Sequence, residues 1–190
     1  MNSLPRTIKH PLVGDEVTFV KTSKETFGEY SLLKVVLQPG GGTDLHYHTR
    51  MSEKFDVVQG RLGLRDEKQT IYLNEGESYT IAPNRLHRFF NDTDQPIVFY
   101  CTVSPAGRFE DLLRIAYGLA TDQKTNKKGI PKNLWHAAMM FKMGESYLPG
   151  VPIWPQKGVF NALAAVGKWR GEDVALEKYV RGSGNEEVGK

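Results

Sequence analysis

The chain has 190 residues, of which 39% are hydrophobic and 25% charged, and its formal net charge is +3. These values are typical of a globular protein and exclude a disordered or fibrous chain. The length suits one domain better than two. The basic residues are scattered, apart from a run between Lys124 and Lys132, and this weak bias argues against a nucleic-acid partner.

The cysteine content and the apolar segments indicate the cellular compartment in which the protein is expected. Cys101 is the single cysteine, so an internal disulfide and a disulfide-stapled secreted fold are excluded. No stretch approaches the roughly 20 apolar residues that span a bilayer. Residues 1–7 lack the apolar region of a signal peptide. We therefore expect a cytoplasmic protein with no membrane partner.

The first part of the chain, from Val17 to Val103, is predicted to consist of short strands. Glycine, proline and asparagine between the strands can supply tight turns. This spacing predicts an all-β sandwich or barrel. The β-branched, aromatic and alternating residues that indicate strands lie at 17–20, 30–37, 54–58, 61–65, 70–73, 78–81, 88–90 and 97–103.

After Pro105 the pattern changes to that of helices. Apolar residues from Phe109 to Ala120 recur at helical spacing, which predicts a helix with one face on the barrel. The segment 148–155 is rich in proline and is predicted to be irregular. Further helices are predicted from Pro131 to Gly144, at 159–169 and at 173–180.

The segment 40–60 holds most of the residues that suggest chemistry. Alternate side chains of a strand share a face, so His46 and His48 point the same way. Glu53 opens the next strand, where its carboxylate can meet both imidazoles, and His87 supplies a third imidazole from a distant strand. Three nitrogen donors and one carboxylate suit Fe, Mn, Co, Ni, Cu or Zn better than Mg or Ca. We therefore predict one divalent transition-metal ion held by these side chains.

The same residues resemble the cupin superfamily, whose first motif reads G-x5-H-x-H-x4-E-x6-G. The chain fits this motif without a gap at Gly40, His46, His48, Glu53 and Gly60. The second motif is loosely G, then P, then H-x3-N, and it is met by Gly76, Pro83, His87 and Asn91. Arg85 departs from the pattern, since the family often has glycine there, and this departure concerns the turn before His87 more than the ligand itself.

The resemblance covers roughly Val17 to Val103 and implies a fold class. That class is all-β, a double-stranded β-helix or jelly-roll cupin barrel, with open metal positions facing a pocket at the barrel mouth. We expect residues 1–105 to form this barrel and residues 106–180 to form a C-terminal α-helical extension packed on it. Residues 181–190 are expected to be a disordered tail.

A metal-dependent enzyme acting on a small organic molecule is the first functional expectation, of dioxygenase, isomerase or cyclase type. In some cupins the glutamate ligand doubles as a base, which makes Glu53 the candidate catalytic residue. A non-catalytic cupin module that binds or senses a small ligand remains the alternative. No helix-turn-helix segment is evident, which argues against a transcription regulator. We also expect a homodimer, since barrel cupins often pair edge to edge.

Other residues are weaker candidates. Arg50 and Arg85 lie in loops beside the predicted ligands and could bind a substrate carboxylate, although loop arginines are usually solvated. His10 and His136 are expected to be structural or exposed. Cys101 alternates with neighbours in a strand and is expected to be a buried small hydrophobe rather than a nucleophile.

Overall fold

The computed structural model describes residues 4–12 and 14–181, so the predicted tail from residue 182 onward lies outside it. Its strands are β1 Thr7–Lys9, β2 Glu16–Lys21, β3 Ser31–Leu37, β4 Tyr47–His48, β5 Ser52–Gln59, β6 Leu62–Asp66, β7 Gln69–Leu73, β8 Ser78–Ile81, β9 His87–Phe90, β10 Ile97–Ser104 and β11 Ser146–Tyr147. Its helices are α1 Phe109–Thr121, α2 Leu134–Gly144, α3 Ile153–Trp169 and α4 Val174–Val180.

The strands pair antiparallel in three sheets. One sheet has the order β1-β2-β3-β10-β5-β8, the second has β7-β6-β9, and β4 pairs with β11. Isolated bridges from Gly42 to Phe90 and from His46 to His87 place the segment before β4 beside β9. The β-structure predicted for this part of the chain is thus confirmed, whereas the described strand pairs do not join the sheets into one hydrogen-bonded barrel.

Gly42 shows why the segment before β4 can approach β9 so closely. Its φ is +148°, and a Cβ at this position would lie 2.4 Å from the carbonyl oxygen of Phe89. Only glycine allows two backbones to come this near. Gly42 therefore has a steric role, because it lets the segment that carries His46 lie alongside His87.

Buried apolar residues from both larger sheets form one cluster. Phe55, Phe99 and Leu62 are completely buried in it, and the Phe55 ring lies 5.9 Å from that of Phe99. Burial of alternate residues in β3, β5 and β10 follows the two-residue period of a strand with one face inward. The two sheets therefore pack face to face over this cluster.

Helix α1 lies between the sheets and the remaining helices. Phe109, Leu113 and Tyr117 pack on the sheet cluster, as the apolar spacing predicted. On its other side, Ile115 and Leu119 join a second buried cluster with residues of α2, α3 and α4. No helix in the described part of the chain combines the length and apolarity needed to cross a membrane.

The prediction of an irregular segment is confirmed for residues 148–152 and wrong for residues 153–155, and the helix predicted to start at residue 159 starts earlier. Helix α3 begins at Ile153 and contains Pro155 in its first turn. The first backbone N–H groups of a helix have no partner within the helix, so a proline there removes no hydrogen bond. Strands β1 and β11 were not predicted, because each is too short to show a period.

Candidate metal centre

Three separate strands bring the predicted metal residues together. His48 lies in β4, Glu53 near the start of β5 and His87 at the start of β9. The backbones of His46 and His87 exchange two hydrogen bonds, His46 N to His87 O at 3.0 Å and His87 N to His46 O at 2.8 Å. Glu53 shares the inward face of β5 with Phe55 and is 4% exposed.

The side chains form one compact group. One ligand atom from each of His46, His48, Glu53 and His87 lies within 4.8 Å of the others. The Nε2 of His87 is 3.1 Å from Glu53 Oε2, and the Nε2 of His48 is 3.7 Å from Glu53 Oε1. Donors bound to one transition-metal ion each lie about 2 Å from it, so this spacing is close to that of a coordination sphere.

Backbone carbonyls determine which ring nitrogen of each histidine faces the centre. The Nδ1 of His46 is 2.7 Å from the carbonyl of Asp44, and the Nδ1 of His87 is 2.8 Å from that of Arg85. The Nδ1 of His48 is 2.8 Å from the carbonyl of Gly144. A carbonyl only accepts, so each Nδ1 carries a proton and each Nε2 is left to face the carboxylate.

His48 provides a test of whether these residues fit a metal. The side chain of His48 is 2% exposed, and its Nε2 is buried without a hydrogen-bond partner in the part of the chain that the structure describes. An unpartnered buried polar atom is costly unless something else satisfies it. A cation coordinated by this Nε2 and by the adjacent Glu53 carboxylate would satisfy both, so the residues present fit a divalent metal ion.

Burial and the carboxylate set the protonation of the group. Burial lowers the pKa of His46 to about 4, although the charge of Glu53 opposes that shift. Burial would raise the pKa of Glu53, but its contacts with the imidazoles of His48 and His87 hold the pKa well below its usual range. Glu53 is therefore an anion at neutral pH, the state in which a carboxylate binds metal.

A cavity of about 340 Å³ opens on the centre and is lined by His46, His48 and Glu53. Its volume lies within the range of small-molecule sites. Much of the remaining wall is apolar and includes Val35, Leu37, Phe89, Phe99, Phe109 and Leu113. Since the last two belong to α1, the helical part of the chain contributes to the cavity.

A second polar group lines the same cavity and was not predicted as a site. It comprises His10, Asp15 and Tyr117, with the rings of His10 and Tyr117 4.9 Å apart. Burial raises the pKa of Tyr117, and the nearby charge of Asp15 raises it further. These residues come from the N-terminal segment and α1, and neither their spacing nor their types indicated that they would meet.

The weaker candidates have other partners in the structure. Arg50 pairs with Glu145, and the Nε of Arg85 lies 2.8 Å from Oδ1 of the buried Asp66, so both guanidinium groups are engaged. His136 is buried, 3.2 Å from Glu172. Cys101 is buried and lines the cavity, and burial raises its thiol pKa well above its usual value, as expected for an unreactive cysteine.

Several solved structures are similar to part of the chain. A predicted oxalate decarboxylase from Thermotoga maritima matches with 15% identity and a TM-score of 0.45, over 47% of this chain and 79% of that one. A sugar phosphate isomerase from a cupin superfamily, from Silicibacter pomeroyi, matches with 23% identity and a TM-score of 0.42, over 47% and 59%. An RmlC-like cupin from Shewanella frigidimarina matches with 21% identity and a TM-score of 0.45, over 52% and 83%. Similarities this distant say nothing about the reaction.

Comparison of the sequence with models of protein families is more specific than comparison with solved structures. Residues 33–103 match the Cupin domain model. This range contains both predicted motifs and all the residues of the candidate metal centre. A comparison with curated proteins finds no match. Residues 33–103, which hold the candidate metal centre, therefore match the Cupin domain family.

Proposed function

We propose that this protein is a metal-dependent enzyme that acts on a small organic molecule, as a dioxygenase, isomerase or cyclase. Its metal is one divalent transition-metal ion held by His46, His48, Glu53 and His87. The observation that carries the proposal is the buried, unpartnered Nε2 of His48, which faces a carboxylate within a group of imidazoles. Three imidazoles and one carboxylate leave positions free on such an ion, and the cavity lies beside them.

The residues around the cavity would have different roles in the reaction. The bound ion would supply Lewis-acid or redox chemistry. The imidazoles would hold the ion, and the apolar wall that contains Phe89 and Phe99 would exclude water from the substrate. Glu53 is a ligand and also the one side chain of this group proposed as a proton acceptor, although its lowered pKa makes it a stronger ligand than base.

The enzyme proposal predicts turnover that depends on metal. Untagged protein is stripped with a chelator, reloaded separately with Fe, Mn, Co, Ni, Cu or Zn, and incubated with flavonols and diketones. We expect one ion per chain by plasma mass spectrometry, and product formation or oxygen uptake in at least one loaded form, with the stripped protein as the control. Absence of bound metal after reloading would contradict the metal site.

A non-catalytic module that binds a small ligand is the second candidate. The Glu53 carboxylate already lies between two imidazoles, at 3.1 Å from His87 and 3.7 Å from His48, which weakens it as a base. Stoichiometric metal with no turnover of any tested substrate, but with measurable ligand binding in the cavity, would favour this candidate over the enzyme.

We extend the proposal to a cytoplasmic homodimer without nucleic-acid or membrane partners. The support is apolar surface on α3, where Trp154 is 77% and Trp169 is 85% exposed, together with Val159 and Val166. Light scattering should give twice the 21.4 kDa mass of one chain. A measured mass of 21.4 kDa would contradict the dimer.

A further inference from the structure

We propose that the C-terminal helical extension orients a metal ligand: the turn that follows α2 sets the tautomer and direction of His48. This inference rests on the proposed metal function. The contact that carries it joins the Nδ1 of His48 to the carbonyl of Gly144, at 2.8 Å, between residues 96 positions apart in the chain. Gly144 and Glu145 are therefore positioning residues, which act on the metal through His48.

The other two histidines do not depend on the extension. His46 and His87 each donate from Nδ1 to a carbonyl only two positions earlier in the chain, Asp44 and Arg85. Their orientation follows from the local backbone of the cupin domain. Within the described residues, His48 has no such local acceptor, since its Nδ1 lies near Gly144 O and, at 3.4 Å, the hydroxyl of Ser146. The extension thus orients one histidine of the site, whereas the other two are oriented by hydrogen bonds to neighbouring residues in the chain.

The surroundings of Gly144 hold its carbonyl near His48. A Cβ on Gly144 would lie 2.7 Å from Leu112 Cδ2 and 2.9 Å from Ser146 Oγ, so an alanine here would displace the ends of both side chains. The next residues, Ser146 and Tyr147, pair as β11 with His48 and Tyr47 of β4. The end of α2 and the pairing of β11 with β4 together hold the Gly144 carbonyl next to the imidazole of His48.

Glu145 joins the same turn to the loop after β4 through hydrogen bonds. Its carboxylate accepts from Arg50 through two guanidinium nitrogens, one of them at 2.9 Å, and from the hydroxyl of Thr49 at 3.1 Å. Glu145 takes the left-handed conformation, with φ of 46°, which directs the chain from α2 into β11. The residue beside Gly144 is thus bonded to the residues that follow His48.

Aromatic side chains also connect β4, which carries His48, to helix α3. The Tyr47 ring lies 5.7 Å from that of Tyr147, which lies 6.4 Å from Phe160 of α3. Phe160 in turn stacks at 4.9 Å on Phe141 of α2. The side of β4 that faces away from the metal centre is therefore covered by the extension, in keeping with a role in holding His48.

The test compares Glu145→Ala with a matched variant, Glu25→Ala. Glu25 also accepts two bonds from an arginine, Arg6, at 2.8 and 2.5 Å, and one from a threonine hydroxyl, Thr22, at 2.9 Å, but it belongs to no part of the site. A third variant, Gly144→Ala, disturbs the carbonyl directly. All are made in the full chain, and Co²⁺ affinity is measured by competition with a chelating dye.

We expect Glu145→Ala and Gly144→Ala to bind Co²⁺ about tenfold more weakly than the parent protein, because both changes shift the carbonyl that is the partner of a ligand histidine. Glu25→Ala should bind it as the parent protein does. Equal affinity in all four proteins would overturn the inference.

Nitrogen-15 NMR of the metal-free proteins at neutral pH separates this inference from the proposed function. The parent protein and Glu25→Ala should show His48 with its proton on Nδ1, and the two variants of the turn should show a mixture of tautomers. If no protein binds Co²⁺, the metal function fails, and the NMR result alone decides whether the turn orients His48. An unchanged tautomer in both turn variants would overturn the inference.

Discussion

Replacing His48 by alanine is expected to remove the bound metal. His48 is 2% exposed, and its Nε2 has no hydrogen-bond partner among the described residues, so the variant loses a buried ligand of the proposed metal. Loss of a ligand should weaken metal binding by more than the roughly 10- to 100-fold that follows loss of a ligand's own hydrogen-bond partner. Plasma mass spectrometry of the purified protein should therefore find about one ion per parent chain and almost none in His48→Ala.

His136→Ala is the matched control for that experiment. His136 is also buried, at 5% exposed, but it lies in α2 near Glu172 and not in the metal centre. We expect this variant to lose some stability and to keep its metal. Retention of metal by His48→Ala would show that the ion is held elsewhere, and its loss from a folded His136→Ala would show that the measurement reports general destabilisation.

Three of the four metal residues could be anticipated from sequence because they lie close together in the chain. His46 and His48 are two residues apart in an extended segment, and Glu53 follows after one bend, so strand geometry alone places them on one side. His87 is distant in sequence, and only the second motif of the cupin resemblance connected it to the others. The structure brings all of them within 4.8 Å.

The supports of the site could not be anticipated, because they depend on tertiary packing. The bond from His48 to Gly144 spans 96 positions, and a glycine at a helix end predicts only that the helix stops. The meeting of His10, Asp15 and Tyr117 at the cavity likewise depends on where α1 docks. Periodicity finds a helix and its apolar face, but it does not give the partner of that face.

The apolar cluster between the two sheets lies next to the metal centre, and replacement of Phe55 tests how much this packing stabilises the protein. Its side chain is 0% exposed, with ring centroids 5.8 Å from Phe89 and 5.9 Å from Phe99. Phe55→Ala should lower the free energy of unfolding by about 3–5 kcal/mol, since the buried ring is lost and a cavity is left. Urea denaturation of the metal-free protein, followed by fluorescence, measures this loss.

Phe27→Ala is the control for the same chemical change on the surface. Phe27 is 97% exposed, so its replacement should alter the free energy of unfolding by less than about 0.5 kcal/mol. Similar losses in both variants would contradict the assigned core. A loss well below 3 kcal/mol for Phe55→Ala alone would mean that the sheets move inward to fill the space. Because Glu53 shares the face of β5 on which Phe55 lies, such movement would also shift the carboxylate, and Co²⁺ affinity would then fall although the loss of stability is small.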